Sequence, residues 1–497
     1  MLIPVCRFVV FSVIGKPWPF RVLWPRRSIG GTAKEPGRSE NPRLTCPGAE
    51  PTIPCGMRGK VQRHSLAWRT AALLMILSAP WVGCGRSKAR PNVIFIMIDS
   101  LRADHCSCYG YPLETTPNLD ALSREGMLFG IAVVQAPWTK PSVASFFTST
   151  YASTHGCIKE QPGSFLTSSL ITIAEVLEAH GYYTLAVNSN PHLKPGTSGW
   201  DQGFHLMKHT DTKPGNPERL TDEAIALLRG ISALLEKNAE KRFFLYLFYF
   251  DPHYPFEPAH KRFTLEDYGP LGGLEGKRRC IVNYDNEIVD TDAAVGRLLA
   301  ELKELGLYEE SLIIVTADHG ESLHEHGEAN HGLKLYDSTL RIPLIIKGVG
   351  QGRVAGQVRA IDVMPTVLDV AGIRPDGALR EQMKGISLLP FARKQAERTG
   401  LRAISETQMR ECNQRCIRTE EYKLMQIFEH GVEHLYDLRA DAREEEDLSE
   451  EHPELVARMT AELEAWAGSI PQVEPVMEDR QIDEALLEEL RAIGYLR

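Results

Sequence analysis

The sequence predicts an α/β protein, a three-layer α/β/α sandwich around a large, mostly parallel sheet, with a smaller carboxy-terminal α+β subdomain. Three observations carry this. Residues 92–98, 184–190, 242–251, 311–318 and 342–348 are near-continuous apolar runs rich in β-branched and aromatic residues, the pattern of strands buried on both faces. Helical stretches at 170–180, 218–236 and 283–306 lie between them, as crossover helices do in parallel sheets. After residue 400 the pattern changes to short strands around AISET, CIRTEEYKLMQI and HLYDL, followed by an acidic helix over 450–467.

A chain of 497 residues is long enough to bury one large core and a smaller one. We divide it into a main domain over 91–400, a small subdomain over 401–470 and a tail over 471–497, whose stretch DEALLEELRAIGYLR reads as an amphipathic helix. The formal net charge of −9 leaves no basic footprint and argues against a nucleic-acid partner. A small anionic substrate would therefore need locally placed positive charge. The run Glu444-Glu445-Glu446-Asp447 reads as a solvated turn.

The amino-terminal region reads as export machinery. Residues 1–56, rich in Pro, Arg and Gly, read as a non-structural extension. From Met57, four basic residues (Arg58, Lys60, Arg63 and Arg69) precede an apolar run from Ala71 to Val82, the layout of a signal peptide over 57–84. That run is shorter than the roughly 20 residues a spanning helix needs. A periplasmic or cell-surface destination follows. The ending Trp81-Val82-Gly83-Cys84 is similar to a bacterial lipobox, which leaves lipid attachment at Cys84, simple cleavage and an uncleaved anchor as alternatives. Of the ten cysteines, none repeats a zinc-ribbon spacing. The pairs Cys106/Cys108 and Cys412/Cys416 are either disulfides or free thiols.

Ligand sites in open α/β sheets gather outside the carboxyl ends of the strands, and Asp99, Asp251, His253, Asp318 and His319 sit at those ends. Each residue alone has an ordinary explanation, a helix cap for an aspartate or a structural role for a histidine. Together, two carboxylates, an imidazole and an alcohol form a set that can hold one divalent cation, acidify the hydroxyl it touches and polarise an ester oxygen. The alcohol is Thr139. Pro141 and the run SVASFFTS after it predict a helix with Pro at its first position and Thr139 just outside, where amino-terminal N–H groups favour an anion. His324, His326 and His331 form a further cluster, read either as a second cation site or as a surface loop with one histidine facing substrate.

From residue 91 to the final GYL the chain resembles the sulfatase family of the alkaline-phosphatase superfamily. The motifs are PNVIFIMIDSLRADHCSCYGY, TKPSVASFFTSTYASTHG, HYPF, TADHGESLHEHGEANHG, LYDSTLRIPLII and IDVMPTVLDVAG, with YKLMQIF and HLYDLRADAREEEDL resembling the carboxy-terminal subdomain. The resemblance implies Asp99, Asp318, His319 and Thr139 as ligands of one divalent metal ion and Thr139 as nucleophile. It implies substrate contact or leaving-group assistance for His253 and His331, with Lys334 a further contributor of substrate charge.

Two departures bear on the chemistry. Formylglycine sulfatases carry C-x-P-x-R or S-x-P-x-R, whereas this chain has Thr139-Lys140-Pro141-Ser142-Val143. Threonine cannot become the aldehyde, so no formylglycine is expected, and with Val143 in place of the arginine, Lys140 is the residue left to supply charge to the substrate. Ser100 stands where a second acidic ligand is usual, which with His319 suits Mn, Zn or Mg better than Ca. A formylglycine hydrate releases sulfate by collapsing to its aldehyde, but a threonine ester must be opened by a second displacement at the central atom, which phosphorus accepts more readily. The sequence therefore predicts a hydrolase of sulfate or phosphate esters, with phosphate mono- or diesters or phosphonates favoured and the ester carried on a glycan or lipid. A phosphoalcohol transferase and a catalytically inactive binding lipoprotein are the competing functions.

Overall fold

A computed structural model of the chain describes residues 90–159, 165–196, 199–210, 216–268 and 275–471. The signal segment, Cys84 and the predicted tail helix lie outside them. Among the described residues, no helix is long and apolar enough to cross a membrane.

The first strand, β1 (Asn92–Ile98), is buried at every position. Successive strand side chains point to opposite faces, so complete burial means that both faces of the sheet are covered. The same holds for β6 (Ser311–Ala317) and all but the first residue of β5 (Arg242–Tyr249). These strands flank β1 in parallel register, β5 on one side and β6 on the other. The sheet is completed by β2 (Met127–Val133), β3 (Tyr182–Asn188), β4 (Leu206–His209), β7 (Arg341–Lys347) and β8 (Gly352–Arg359). Their order is β4-β3-β5-β1-β6-β7-β2-β8.

The predicted α/β class and mostly parallel sheet are therefore present, with differences in detail. The run around 342–348 forms β7, which pairs antiparallel with both β6 and β2. A buried apolar run specifies burial, not direction. The strands β2, β4 and β8 were not legible: β2 and β8 are interrupted by glycine and β4 is a short edge strand with half-buried side chains.

Six helices matter below: α1 (Pro117–Glu125), α2 (Thr139–Thr148), α3 (Ile173–Ala179), α4 (Pro217–Lys237), α5 (Glu275–Glu304) and α6 (Val363–Val370). In α3 a capping box, Thr172 with Glu175, satisfies two amino-terminal amides and fixes the start of the helix. Helix α5 begins eight residues before the helical stretch read from the sequence.

The carboxy-terminal strands β9 (Ala403–Thr407), β10 (Gln414–Arg418), β11 (Tyr422–Ile427) and β12 (Val432–Asp437) form an antiparallel sheet in the order β12-β11-β10-β9. The single run CIRTEEYKLMQI is thus a hairpin of two strands. Helix α7 (Pro453–Ser469) buries Met459 and Leu463 against Ile404, Ile417, Leu424 and Leu435 of this sheet. The six described cysteines, including Cys106, Cys108, Cys412 and Cys416, are free thiols.

The acidic run at 444–447 departs from expectation. Its first member, Glu444, is buried and pairs with the fully buried Lys423 at 2.5 Å. The Lys423 ammonium also meets Asp337 at 2.6 Å, and the Arg418 guanidinium meets the other Asp337 oxygen at 2.8 Å. This network ties β10 and β11 to the segment leading into β7. Removing one member leaves uncompensated buried charge, so Lys423→Ala is expected to lower unfolding free energy by roughly 3–5 kcal/mol in denaturant titration. A loss below about 1 kcal/mol would show that water screens the network.

Candidate functional site

The carboxyl ends of β1 and β6 lie side by side, and the residues just past them converge. Asp99, Asp318 and His319 are fully buried, and one ligand atom from each lies within 4.8 Å of the others. His319 Nε2 is 3.5 Å from an Asp99 oxygen and 3.3 Å from Asp318 Oδ2. The other ring nitrogen, Nδ1, lies 2.8 Å from the Gly320 carbonyl, to which it can only donate, so the Nε2 lone pair is turned toward the carboxylates.

Thr139 joins this cluster. Its Oγ1 lies 3.4 Å from His319 Nε2, and it is buried. Here the structure corrects the sequence reading: α2 starts at Thr139 itself, with Trp138 as its cap and Pro141 third in the helix rather than first. The amino end of α2 is pinned to the cluster by Ser142, whose hydroxyl donates to the Asp318 carbonyl. Lys140 follows Thr139 in the first turn and is half-buried.

The electrostatics of the cluster fit a divalent cation. Burial, then the charge of Asp318, pushes the Asp99 carboxyl well above the usual range, and burial likewise raises Asp318 despite the nearby Ser100 amide. Burial lowers the His319 imidazole well below its ordinary value. Two neighbouring carboxylates resist ionising together without a compensating charge. Moreover, Asp318 Oδ2 is buried with no donor other than the neighbouring Thr139 hydroxyl, whereas Oδ1 accepts from the amides of Ser100 and His319 at 3.2 and 2.9 Å. Such a carboxylate oxygen beside an imidazole lone pair and an alcohol is a donor set for a hard or borderline metal ion.

Three residues support the cluster: Asn190 and Tyr284 escaped the sequence reading, and Ser100 was read only as standing in place of an acidic ligand. Asn190, after β3, donates to the second Asp99 oxygen at 2.7 Å. Ser100 adopts the left-handed conformation at φ 57°, which aims its amide at Asp318 while its hydroxyl donates to Asp99 at 2.9 Å. The Tyr284 hydroxyl of α5 donates to the Ser100 carbonyl at 2.7 Å and holds that strained residue in place. Asn and Ser at strand ends commonly serve as turn residues, so only their spatial partners mark them.

A second layer consists of imidazoles. The His331 ring lies 4.2 Å from that of His319 and 5.0 Å from that of His253. Buried Glu321 receives His331 Nδ1 at 3.2 Å from both of its oxygens. Burial alone would lower the His331 pKa, but the Glu321 charge and hydrogen bond raise it above the usual imidazole range. His253 behaves oppositely: burial, then repulsion from His331, with a smaller share from His192, pushes it down. Its Nδ1 donates to the Tyr254 carbonyl at 2.6 Å and its ring stacks on Phe250. The two neighbouring imidazoles are thus shifted in opposite directions.

The remaining histidines separate. His324 is exposed. His326 stacks on Tyr336 at 3.6 Å and pairs with the Arg443 carbonyl. Among the described residues, Asp99, Asp318 and His319 are the group placed to hold a metal ion, so 324, 326 and 331 do not form a second site. The Lys334 ammonium donates to the His326 carbonyl, which ties it to this loop.

Helix α5 clasps the loop that follows β5 and carries His253. Glu287 accepts from the Glu257 amide, and Asp290 accepts from the Ala259 amide at 2.8 Å. Burial, then the Asp251 charge, raises the Glu287 carboxyl to about 9. An acid with a raised folded-state pKa keeps its proton longer folded than unfolded. Stability is therefore lost as pH rises from the ordinary carboxyl range, about 4.3, toward 9. Glu287→Gln is expected to flatten the fall of Tm across this window and to leave the protein at least as stable at pH 8. An unchanged slope would exclude Glu287 as its source.

Residues 91–373 match the family model described as Sulfatase. The chain belongs to the sulfatase family. Residues 325–468 match a second model, N-sulphoglucosamine sulphohydrolase, C-terminal. Among curated relatives, this sulfatase-family chain is 28% identical to the multifunctional alkaline phosphatase superfamily protein PehA of Trinickia caryophylli, over 61% of this chain and 77% of the relative. It is 23% identical to an arylsulfatase of Clostridium perfringens, over 74% of this chain and 92% of the relative. Among solved structures, a phosphonate monoester hydrolase from Silicibacter pomeroyi superposes with a TM-score of 0.60 at 21% identity, over 77% of this chain and 96% of that one. Ps i-CgsB, solved in complex with k-i-k-neocarrahexaose, superposes with a TM-score of 0.62 at 20% identity, over 82% and 98%. The chain is a hydrolase acting on ester bonds.

Proposed function

We propose that this sulfatase-family hydrolase cleaves phosphate mono- or diesters or phosphonate esters in preference to sulfate esters, through a covalent intermediate on Thr139. The observation that carries this is a buried alcohol, not convertible to formylglycine, seated 3.4 Å from His319 Nε2 within a buried two-carboxylate cluster. A divalent cation held by Asp99, Asp318, His319 and Thr139 would supply Lewis acidity, lowering the hydroxyl pKa and polarising the ester.

The chain's own residues divide the remaining work. The amino end of α2, a ten-residue helix, presents its dipole to the anion's equatorial oxygens, with Lys140 adding positive charge. Thr139 Oγ1, its proton released to solvent, forms a bond to phosphorus as the ester P–O bond breaks. The departing alkoxide takes its proton from His331, whose Nδ1–H is held by Glu321 and whose pKa that carboxylate raises. Neutral His253, its Nδ1–H tied to the Tyr254 carbonyl, lies against His331 and buttresses that imidazole beside the leaving group. Water then displaces phosphate from Thr139, with His331 positioned to accept its proton. We further propose that the protein acts after export, on an ester borne by a glycan or lipid.

Hydrolysis of an aryl sulfate, an aryl phosphate, a bis-aryl phosphate and an aryl phosphonate ester tests this directly, with protein loaded in turn with Mn, Zn, Mg or Ca. The phosphorus esters are expected to dominate in kcat/KM. Dominance of the sulfate would overturn the argument from the missing formylglycine.

A further inference from the structure

His331 sits on the long connection between β6 and β7, which has little regular structure of its own. The first half of this connection folds on itself. The Ser322 hydroxyl donates to the Glu328 carbonyl at 3.0 Å, and His324 and His326 take the left-handed conformation, at φ 69° and 51°, that residues other than glycine seldom adopt. Glu321 orients the His331 ring, but a contact at Nδ1 does not fix where the backbone beneath that ring stands.

The half that carries His331 is held by the small subdomain. Strand β9 ends at Thr407, which is fully buried, and the Thr407 hydroxyl donates to the Gly332 carbonyl at 2.6 Å. The same hydroxyl oxygen accepts from the Met409 amide at 3.4 Å, which leaves its proton for Gly332. Met409 completes the latch with its side chain. Gly332 adopts φ 101°, and the Met409 sulfur lies where a β-carbon on Gly332 would stand, with Trp138 Cβ 3.6 Å from the same point. Trp138 caps α2 next to Thr139, so the residue after His331 packs against both the small subdomain and the start of the helix that carries the alcohol. Three residues further on, Lys423 Nζ donates to the Leu335 carbonyl at 3.0 Å, ahead of its ion pair with Asp337.

We propose that Thr407 and Met409 are positioning residues for the proton donor: through its latch on Gly332, the small subdomain fixes the distance between His331 and the departing alcohol. The inference rests on the reading of His331 as the leaving-group acid given above. A proton donor contributes roughly 10²- to 10⁴-fold, and mostly for alcohols that leave poorly, since a good leaving group departs as its anion. A misplacement of about 1 Å removes up to about 100-fold of such an advantage. The latch stabilises the protein whether or not it serves catalysis, so stability does not decide its role; the dependence of rate on the leaving group does.

The test compares ethyl and para-nitrophenyl phosphate as substrates of the metal-loaded protein by kcat/KM, which reports every step up to departure of the alcohol. Thr407→Val replaces the hydroxyl with a methyl group, and is expected to slow the ethyl ester at least about tenfold while changing the para-nitrophenyl ester less than about twofold. Thr407→Ser keeps the hydroxyl and should keep the wild-type ratio. Met409→Ala should shift the ratio in the same direction as Thr407→Val, and carries the measurement if Thr407→Val does not fold. His331→Ala sets the scale: it should show the same selective loss, larger, and adding Thr407→Val to it should slow the ethyl ester no more. Selective loss in His331→Ala with equal losses on the two esters in Thr407→Val overturns the latch and leaves the acid in place. Equal losses in His331→Ala overturn the acid, and the latch with it. Ethyl and para-nitrophenyl sulfate give the same comparison if sulfate esters are preferred, so the result does not turn on the chemistry of Thr139.

Discussion

Thr139→Ala is expected to lower kcat by about four orders of magnitude while the metal-free Tm stays near the wild-type value and Asp99, Asp318 and His319 still take up metal at saturating concentration, because losing a nucleophile that acts as one unit with its neighbours removes most of the catalytic advantage. The side chain lost is small and sits at a helix end, so folding should tolerate it. Thr139→Ser keeps an alcohol at the same place and should retain turnover, reduced by looser positioning, since serine lacks the branch that restricts threonine at χ1. Trapping decides the covalent step: brief acid quench with a labelled aryl phosphate should leave label on the wild-type and Thr139→Ser proteins and none on Thr139→Ala. Near-normal turnover by Thr139→Ala would mean that water attacks directly and that Thr139 only lines the site.

The second large effect is expected at Asp318, and its sign depends on the metal. Without a cation, Asp99 and Asp318 raise each other's cost of ionisation inside a buried site. Asp318→Asn removes one of these charges while preserving shape, so the metal-free variant should have a Tm at or above that of the metal-free wild type. With a cation the order reverses. The wild type gains stability by mass action, about 2.7 kcal/mol at a metal concentration 100 times Kd. Asp318→Asn offers a weakly ligating amide where Asp318 Oδ2 had presented a charged oxygen, and should lose most of that gain together with at least about 100-fold in kcat. Scanning calorimetry with and without each metal reads both limbs. Equal metal-induced shifts in the two proteins would remove Asp318 from the ligand set.

The two experiments separate questions that activity alone conflates. Loss of activity with metal retained points to the nucleophile, and loss of both points to the cation cluster. The accessory residues fall between. Asn190 and Tyr284 touch Asp99 and the Ser100 carbonyl rather than substrate, so they position groups rather than react.

Much of this site could be read along the chain because its members sit where local sequence pattern and sheet topology coincide. The buried runs at 92–98 and 311–318 announce central strands, and a polar residue ending such a run, Asp99 or Asp318, must lie at the sheet's carboxyl edge. Thr139 was legible from the Pro and small residues after it, although its place within the helix was not, because one residue of shift leaves the composition unchanged. Strand direction was equally hidden: the run forming β7 is as apolar as its parallel neighbours, and only pairing with β6 and β2 sets its orientation.

The amino-acid sequence by itself determined the fold class and singled out the carboxylates and the alcohol that the fold brings together, since these depend on residue identity and short-range periodicity. The tertiary structure alone decided in which direction each imidazole's pKa moves. His253 and His331 are chemically the same side chain, but Glu321 faces one, while desolvation and repulsion from that neighbour push the other down. It also divided the cluster at 324, 326 and 331, sent Glu444 into a buried ion network, and brought Asn190 to Asp99 from 91 residues away. Protonation and hydrogen-bond partnership depend on burial and on charges brought together by folding, neither of which sequence spacing encodes.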